Sequence, residues 1–130
     1  MFALDTNTLI YLFKGMGRVG ERLLEESPSD VAIPSVVIYE LELGIAQSRQ
    51  PAKRRKQLDS LAEAVAVLPF DKASAKRAAD IESTLRAAGT PIGPHDVLIA
   101  GTALAHHAAL VTHNAREFRR VKGLSLIDWF

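Results

Sequence analysis

Short apolar runs alternate along the chain with longer stretches in which apolar positions recur at helical spacing. The apolar runs predict strands, which we place at residues 2–4, 31–33, 67–70, 110–111 and 124–127. The longer stretches predict helices, which we place at residues 6–14, between Gly17 and Pro28, at 34–46, 52–66, 71–88 and 94–108, with a short turn or helix at 116–120. Strands that alternate with helices favour an α/β fold with a central parallel sheet covered on both faces. No repeat or linker interrupts the pattern, so we predict one domain over residues 1–130.

The first strand ends abruptly at Asp5, and a helical pattern begins at once. In open parallel sheets, ligands bind outside the carboxyl ends of the strands, which is where Asp5 would lie. The alternative is that Asp5 only caps the following helix, a common role for aspartate. Taken with the other acids described below, we interpret Asp5 as a metal ligand and assign the capping role to Thr6 and Asn7.

The helix predicted at 34–46 carries a glutamate on its inward face. At 100° per residue, Glu40 lies within the apolar arc, whereas Glu42 points to the opposite side. The apolar arc is formed by Val36, Val37, Ile38, Leu41, Leu43, Gly44 and Ile45. A buried carboxylate is costly unless a cation or a basic partner compensates its charge. We therefore predict that Glu40 belongs to a site, the alternative being a paired structural glutamate.

Two further polar positions are predicted at the same edge of the sheet. Asp96 falls in the first turn of an otherwise uncharged helix, where it could also simply complement the helix dipole. The strand at 110–111 ends in Thr112, His113 and Asn114, as the first strand ends in Asp5. Carboxylates that lie close together repel unless a cation neutralises them, and oxygen ligands favour Mg²⁺ or Mn²⁺ over zinc. The four histidines lack zinc-ligand spacing and are predicted to be surface residues or residues that only border the site.

The chain has no cysteine, which excludes disulfides and thiolate metal sites and favours a cytoplasmic location. Asp5 interrupts the first apolar run, so no signal peptide is predicted. The longest uncharged run, residues 97–114, contains three histidines and falls short of a membrane span, so no membrane association is expected.

The formal net charge is only +1, but basic residues cluster at 49–56 and 116–122. Basic clusters suit a phosphate backbone, although a solvated helix face is the commoner origin of a charge run. The residues predicted to contact nucleic acid are Arg49, Lys53, Arg54, Arg116 and Arg119.

Four segments together resemble the PIN-domain proteins of the VapC toxin type: Leu-Asp-Thr-Asn-Thr at 4–8, Glu-Leu-Glu-Leu-Gly at 40–44, Gly-Pro-His-Asp-Val-Leu-Ile-Ala at 93–100 and Leu-Val-Thr-His-Asn-Ala-Arg-Glu-Phe at 110–118. The resemblance extends in order over essentially the whole chain. It implies a three-layer α/β/α domain and a Mg²⁺- or Mn²⁺-dependent endoribonuclease that is dimeric and neutralised by a cognate antitoxin. It also implies structured RNA, commonly transfer RNA, as the substrate.

Carried over to this sequence, the resemblance makes Asp5, Glu40 and Asp96 the principal acids and metal ligands. Thr112 matches a hydroxyl residue near the site, and Asn114 stands where many members have a fourth acid. An amide contributes no charge, so the resemblance leaves open one or two metal ions, with Glu117 as a substitute fourth acid. Two other functions remain open: a catalytically weak module that binds RNA or protein, and an RNA-processing nuclease that is not a toxin.

Overall fold

The computed structural model describes residues 1–130 and contains a five-stranded, fully parallel sheet with the strand order β3-β2-β1-β4-β5. The strands are β1 (Phe2–Leu4), β2 (Val31–Pro34), β3 (Ala66–Leu68), β4 (Ala109–Val111) and β5 (Leu126–Ile127). The helices are α1 (Thr6–Lys14), α2 (Val19–Leu24), α3 (Ser35–Ala46), α4 (Pro51–Ala64), α5 (Lys72–Ala87), α6 (Pro94–Ala105) and α7 (Ala115–Phe118). This confirms the predicted three-layer α/β/α class.

The three central strands form the middle of the hydrophobic core. Ala3 and Leu4 of β1, Ile33 of β2 and Leu110 and Val111 of β4 are all fully buried. Such continuous apolar runs are expected where helices cover both faces of a parallel sheet. Because β1 lies between β2 and β4, the segments that follow these three strands are neighbours at one edge of the sheet. None of the helices combines the length and the apolar character needed to cross a bilayer.

Several predicted element ends differ from the structure. Helix α6 ends at Ala105 rather than at 108, because His107 adopts a left-handed φ of 55° that breaks the helix. The last strand begins at Leu126 rather than at 124, since Leu124 closes a turn by donating to the Val121 carbonyl. Strand β3 ends at Leu68, before Pro69, whose nitrogen has no hydrogen to donate to a neighbouring strand.

Helices α5 and α6 pack unusually close together. A Cβ added at Gly101 of α6 would lie 2.8 Å from the Cβ and the backbone nitrogen of Ala78 on α5. Both residues are buried, so no side chain can move aside to make room. This contact anchors α5 to α6, the helix that carries Asp96 in its first turn.

Candidate active site

The carboxyl edge of the sheet brings the predicted site residues into one region. Asp5 follows β1 directly and its backbone N–H donates to the carbonyl of Val111 at the end of β4, at 3.1 Å. Thr112, the residue after Val111, is also buried, and it lies against the Asp5 carboxyl group. Helix α3, which carries Glu40, starts immediately after β2 on the other side of β1.

Asp5 is 4% exposed and is itself the N-cap of α1. Its Oδ1 accepts the backbone N–H of Thr8 at 2.9 Å. The sequence interpretation that Thr6 and Asn7 take over the capping role is therefore wrong, because the strand enters the helix without an intervening residue. Burial raises the pKa of Asp5, the hydroxyl groups of Thr112 and Thr8 lower it, and the nearby Glu40 carboxylate raises it further. Capping uses one oxygen and does not remove the charge.

Glu40 is partly buried, with 27% of its side chain exposed, and it is held by two neighbours. The hydroxyl of Thr6 donates to Oε1 at 2.8 Å, and Nδ1 of His95 lies 3.4 Å from Oε2. Tyr39 packs edge-on against the His95 ring. No local sequence pattern indicates the contacts with Thr6 and His95, because they join residues far apart in the chain.

The remainder of the α3 prediction is partly correct. Glu42 lies on the surface, as expected, and pairs with Arg55. Leu43 and Gly44, however, were assigned to the inward arc and are exposed. The buried residues of α3 are Val37, Leu41 and Ile45, a narrower stripe with strict spacing of four.

Asp96 lies in the first turn of α6 and is half-buried. Its pKa is raised to about 6, chiefly by burial and further by the carboxylates of Glu117, Glu40 and Asp5, while His95 opposes the shift. A Cβ at Gly93 would approach Oδ2 of Asp96 to 3.1 Å, so the glycine leaves room around this carboxylate.

Helix α7 contributes a fourth carboxylate to this region. Among the neighbouring charges, Glu117 has the largest effect on the pKa of Asp96, which places its carboxylate close to that acid. Asn114 occupies the N-cap position of α7 without a side-chain cap, and its backbone N–H donates to Oγ1 of Thr112 at 2.9 Å. Asn114 thus orients the Thr112 hydroxyl through its backbone, whereas Glu117 supplies the charge.

The four carboxylates have no basic partner other than His95. No lysine or arginine forms an ion pair with Asp5, Glu40, Asp96 or Glu117. All four offer oxygen atoms, the ligands that Mg²⁺ and Mn²⁺ prefer, and their mutual repulsion is what a divalent cation would relieve. As the side chains lie, no three acidic or histidine residues enclose one point at metal-binding distance, so binding requires them to turn toward a common centre. In charge and ligand type the group fits such a cation.

The raised pKa of Asp96 makes stability depend on pH. Because the folded carboxyl binds its proton more tightly than the unfolded one, the resulting stability is present below pH about 4 and lost as the pH rises through about 6. After discounting for solvent screening, we expect the free energy of unfolding to fall by about 1 kcal/mol across this window. Urea unfolding at pH 4 and pH 7.5 in EDTA measures this change, and Asp96→Asn should show less of it. An unaltered pH dependence in that variant would contradict the assignment.

The side chains predicted to contact nucleic acid differ in whether they already form hydrogen bonds within the chain. Arg49, Lys53, Arg116 and Arg119 are exposed and have no hydrogen-bonding partner within the chain. Arg54 instead donates to the Phe13 carbonyl at 3.2 Å and to Gln57 at 2.9 Å, and thereby ties α4 to the end of α1.

A groove of about 280 Å³ lies beside Glu40, between α1 and the second half of α3. Its apolar walls come from Ile10 and Phe13 on one side and Leu41 and Ile45 on the other. Gly44 also lines it, and a Cβ at this position would meet no atom within 4 Å.

A family model and similar proteins agree on one family. The family model described as PIN domain matches residues 2–124. The chain is 34% identical over 128 residues to the tRNA(fMet)-specific endonuclease VapC of Shigella flexneri, covering 98% of this chain and 97% of that protein. It is also 34% identical over 131 residues to ribonuclease VapC1 of Haemophilus influenzae, covering 99% and 98% of the two chains.

Solved structures resemble the fold over its full length. A chain of DNA-bound VapBC from Salmonella typhimurium superposes with a TM-score of 0.92 at 33% identity, covering 99% of this chain and 98% of that one. A chain of VapBC2 from Rickettsia felis, bound to a DNA fragment from the promoter, superposes with a TM-score of 0.92 at 28% identity and the same coverage.

Proposed function

The chain belongs to the PIN-domain family, and from this premise we propose that it is a metal-dependent endoribonuclease and the toxin of a toxin–antitoxin pair. The observation that carries the proposal is the group of four carboxylates at one edge of the sheet, which lacks a lysine or arginine partner. Burial and the other three carboxylates together raise the pKa of Asp96 to about 6. A structural role would not gather four acids without compensating cations.

Asp5 and Asp96 are the proposed ligands of Mg²⁺ or Mn²⁺, with Glu40 binding directly or through water. When bound, a divalent cation would lower the pKa of a water molecule and stabilise negative charge on a phosphate. Glu117 adds the fourth carboxylate to this group. Thr6 fixes one oxygen of Glu40, and the Asn114 backbone N–H fixes the hydroxyl of Thr112. These contacts hold the acids in place before RNA binds, which reduces the reorganisation needed for reaction.

The proposed substrate is structured RNA, with transfer RNA the first to test. One relative that is 34% identical over 128 residues is named a tRNA(fMet)-specific endonuclease. The exposed cations Arg49, Lys53, Arg116 and Arg119 would contact the RNA backbone, with Arg54 at the edge of the first group. Backbone contacts of this kind make binding sensitive to salt.

Purified protein incubated with total transfer RNA tests the function directly. We expect discrete cleavage products with Mg²⁺ or Mn²⁺, and none in excess EDTA, with activity restored when the cation is added back. The products should end within transfer RNA loops, where unpaired bases are accessible. Binding of RNA without any metal-stimulated cleavage would contradict the enzyme assignment and identify a binding module.

The proposed partner is an antitoxin protein, and the proposed oligomeric state is a homodimer. Two of the solved structures that the chain resembles are described as VapBC bound to DNA. The apolar groove beside Glu40 is the proposed docking place for the antitoxin, since its occupant would lie against the acids and block access of RNA. Growth arrest on expression, relieved by the partner, would distinguish a toxin from an RNA-processing nuclease.

A further inference from the structure

The acidic cluster is formed by the carboxylates of Asp5, Glu40, Asp96 and Glu117. The groove described above lies on its α3 side. A second groove, of about 530 Å³, lies on the opposite side of this acidic cluster, between α7 and the edge strand β5. Thr112 lines it at the end of β4, and Arg119, Lys122 and Leu126 line it further along. Strand β5 is the last strand of the sheet, so the groove is open to solvent along its outer side.

The groove begins where the acidic cluster ends. Thr112 belongs to both, because its side chain lies against the Asp5 carboxyl group while its backbone N–H donates to the Ile127 carbonyl on β5 at 2.9 Å. Ala115, the first residue of α7, also lines the groove, and Glu117 of the same helix faces Asp96. The groove therefore adjoins the acids along Thr112 and α7.

The charge of the groove is positive. Arg119 and Lys122 are exposed, and neither has a carboxylate within ion-pair distance. Asp128 is the only acid in the lining, and its carboxylate is already used by Nδ1 of His113 and by the Phe130 backbone N–H, both at 2.8 Å. Two cations are thus left without an intramolecular partner.

The neighbouring Arg120 shows that this freedom is not general to the basic cluster. Its guanidinium donates to the Pro91 carbonyl at 2.9 Å, and so ties the segment after α7 to the loop before α6. Arg119 and Lys122 have no such structural contact, so truncating them should leave the fold intact.

The remaining walls of the groove are apolar, formed by Leu124, Leu126 and Ile127. The two cationic side chains face an apolar wall. This arrangement is complementary to a single nucleic-acid strand, whose phosphates lie on one side and whose sugars and unpaired bases lie on the other. A double helix keeps the faces of its bases stacked inside, so it would offer no base face to cover the apolar wall.

We propose that the groove between α7 and β5 binds the single-stranded RNA segment that adjoins the cleaved phosphodiester, with Arg119 and Lys122 on its phosphates. The proposal rests on the endoribonuclease function proposed above. It also assigns a path to the RNA substrate, because one side of the substrate would lie along α7 and β5 rather than along the groove beside Glu40.

The test compares Arg119→Ala/Lys122→Ala with Lys72→Ala/Lys76→Ala, a control pair on the exposed surface of α5. Both double variants change the formal net charge from +1 to −1. RNA binding is measured in EDTA by fluorescence anisotropy with a transfer-RNA loop oligonucleotide, between 50 and 200 mM salt. Between the two salt concentrations, the loss of affinity should be about sevenfold smaller for the groove variant than for the wild type, because two single-strand phosphate contacts are missing. The control should match the wild type. In Mg²⁺, KM for the same RNA should rise in the groove variant alone.

Equal salt dependence in the two double variants would overturn the proposal. So would a loss of antitoxin binding with unchanged RNA binding, since the groove would then hold a protein. Failure of the wild type to cleave RNA refutes the endoribonuclease function, yet the EDTA binding comparison still decides whether RNA occupies the groove. The two failures are therefore distinguishable.

Discussion

Asp5→Asn is expected to abolish RNA cleavage while leaving the protein at least as stable as the wild type. Loss of the carboxylate removes a proposed metal ligand, and the lost stabilisation of charge on the phosphate corresponds to a rate reduction of about a thousandfold. Stability should rise, because burial and the Glu40 carboxylate both penalise the ionised form of Asp5. The amide oxygen of asparagine can still accept the Thr8 N–H, so the cap is preserved.

Asp71→Asn is the matched control, because Asp71 is the N-cap of α5 and accepts the Ser74 N–H at 2.9 Å. Hydrogen bonds from Ser74 lower the pKa of Asp71, so its ionised form stabilises the fold. The control should therefore lose stability near neutral pH and keep its cleavage rate. Thermal melts and initial rates in Mg²⁺ measure both variants. If Asp5→Asn cleaves RNA as the wild type does, Asp5 is only a helix cap and the metal-site assignment is wrong.

The two N-cap residues are expected to behave in opposite ways, which shows why the sequence could predict the position of Asp5 but not its role. The Asp-Thr-Asn-Thr segment after an apolar run is a local signal, and it predicted both the strand end and the start of α1 correctly. Capping and ligation, however, make use of the same position. Only the burial of Asp5, together with the nearby carboxylates of Glu40 and Asp96, separates the two roles.

Glu40 shows the same division between local and long-range information. Helical periodicity placed it on the inward side of α3, and it is partly buried there. The same periodicity assigned Leu43 and Gly44 to that side, although both are exposed. A helical wheel gives directions around one helix, whereas burial depends on which neighbours cover it. The contacts of Glu40 with Thr6 and His95 depend on how α1, α3 and α6 pack, which no local pattern reports.

At the fourth acidic position, sequence offered Asn114 and Glu117 without a means to choose. The two residues lie three positions apart in the sequence, and the first turn of α7 brings the Glu117 carboxylate near Asp96. Asn114 stays at the helix start, where its backbone orients Thr112. The choice depends on the path of a four-residue helix, which is too short for periodicity to predict.

Gly44→Gln is expected to make the enzyme resistant to its antitoxin. Gly44 lines the groove beside Glu40, and a Cβ at this position would meet no atom within 4 Å, so we expect the groove to accommodate a glutamine side chain and to be filled by it. An occupant that loses a central contact of this kind typically loses about 2 kcal/mol or more, or roughly thirtyfold in affinity. Gly44→Ala is the control: it also removes the helix-weakening glycine but adds only one methyl group, so its inhibition should stay close to that of the wild type.

Titration of each variant with the cognate antitoxin, scored as residual cleavage relative to that variant's own uninhibited rate, measures the effect. Scoring in this way separates antitoxin release from any change in the cleavage rate caused by the nearby Glu40. The Arg119→Ala/Lys122→Ala variant should be inhibited normally, because its groove lies between α7 and β5 on the other side of the acidic cluster. If Gly44→Gln remains fully inhibited, the antitoxin does not reach the acids through the groove between α1 and α3. Inhibition must then act from another face of the toxin.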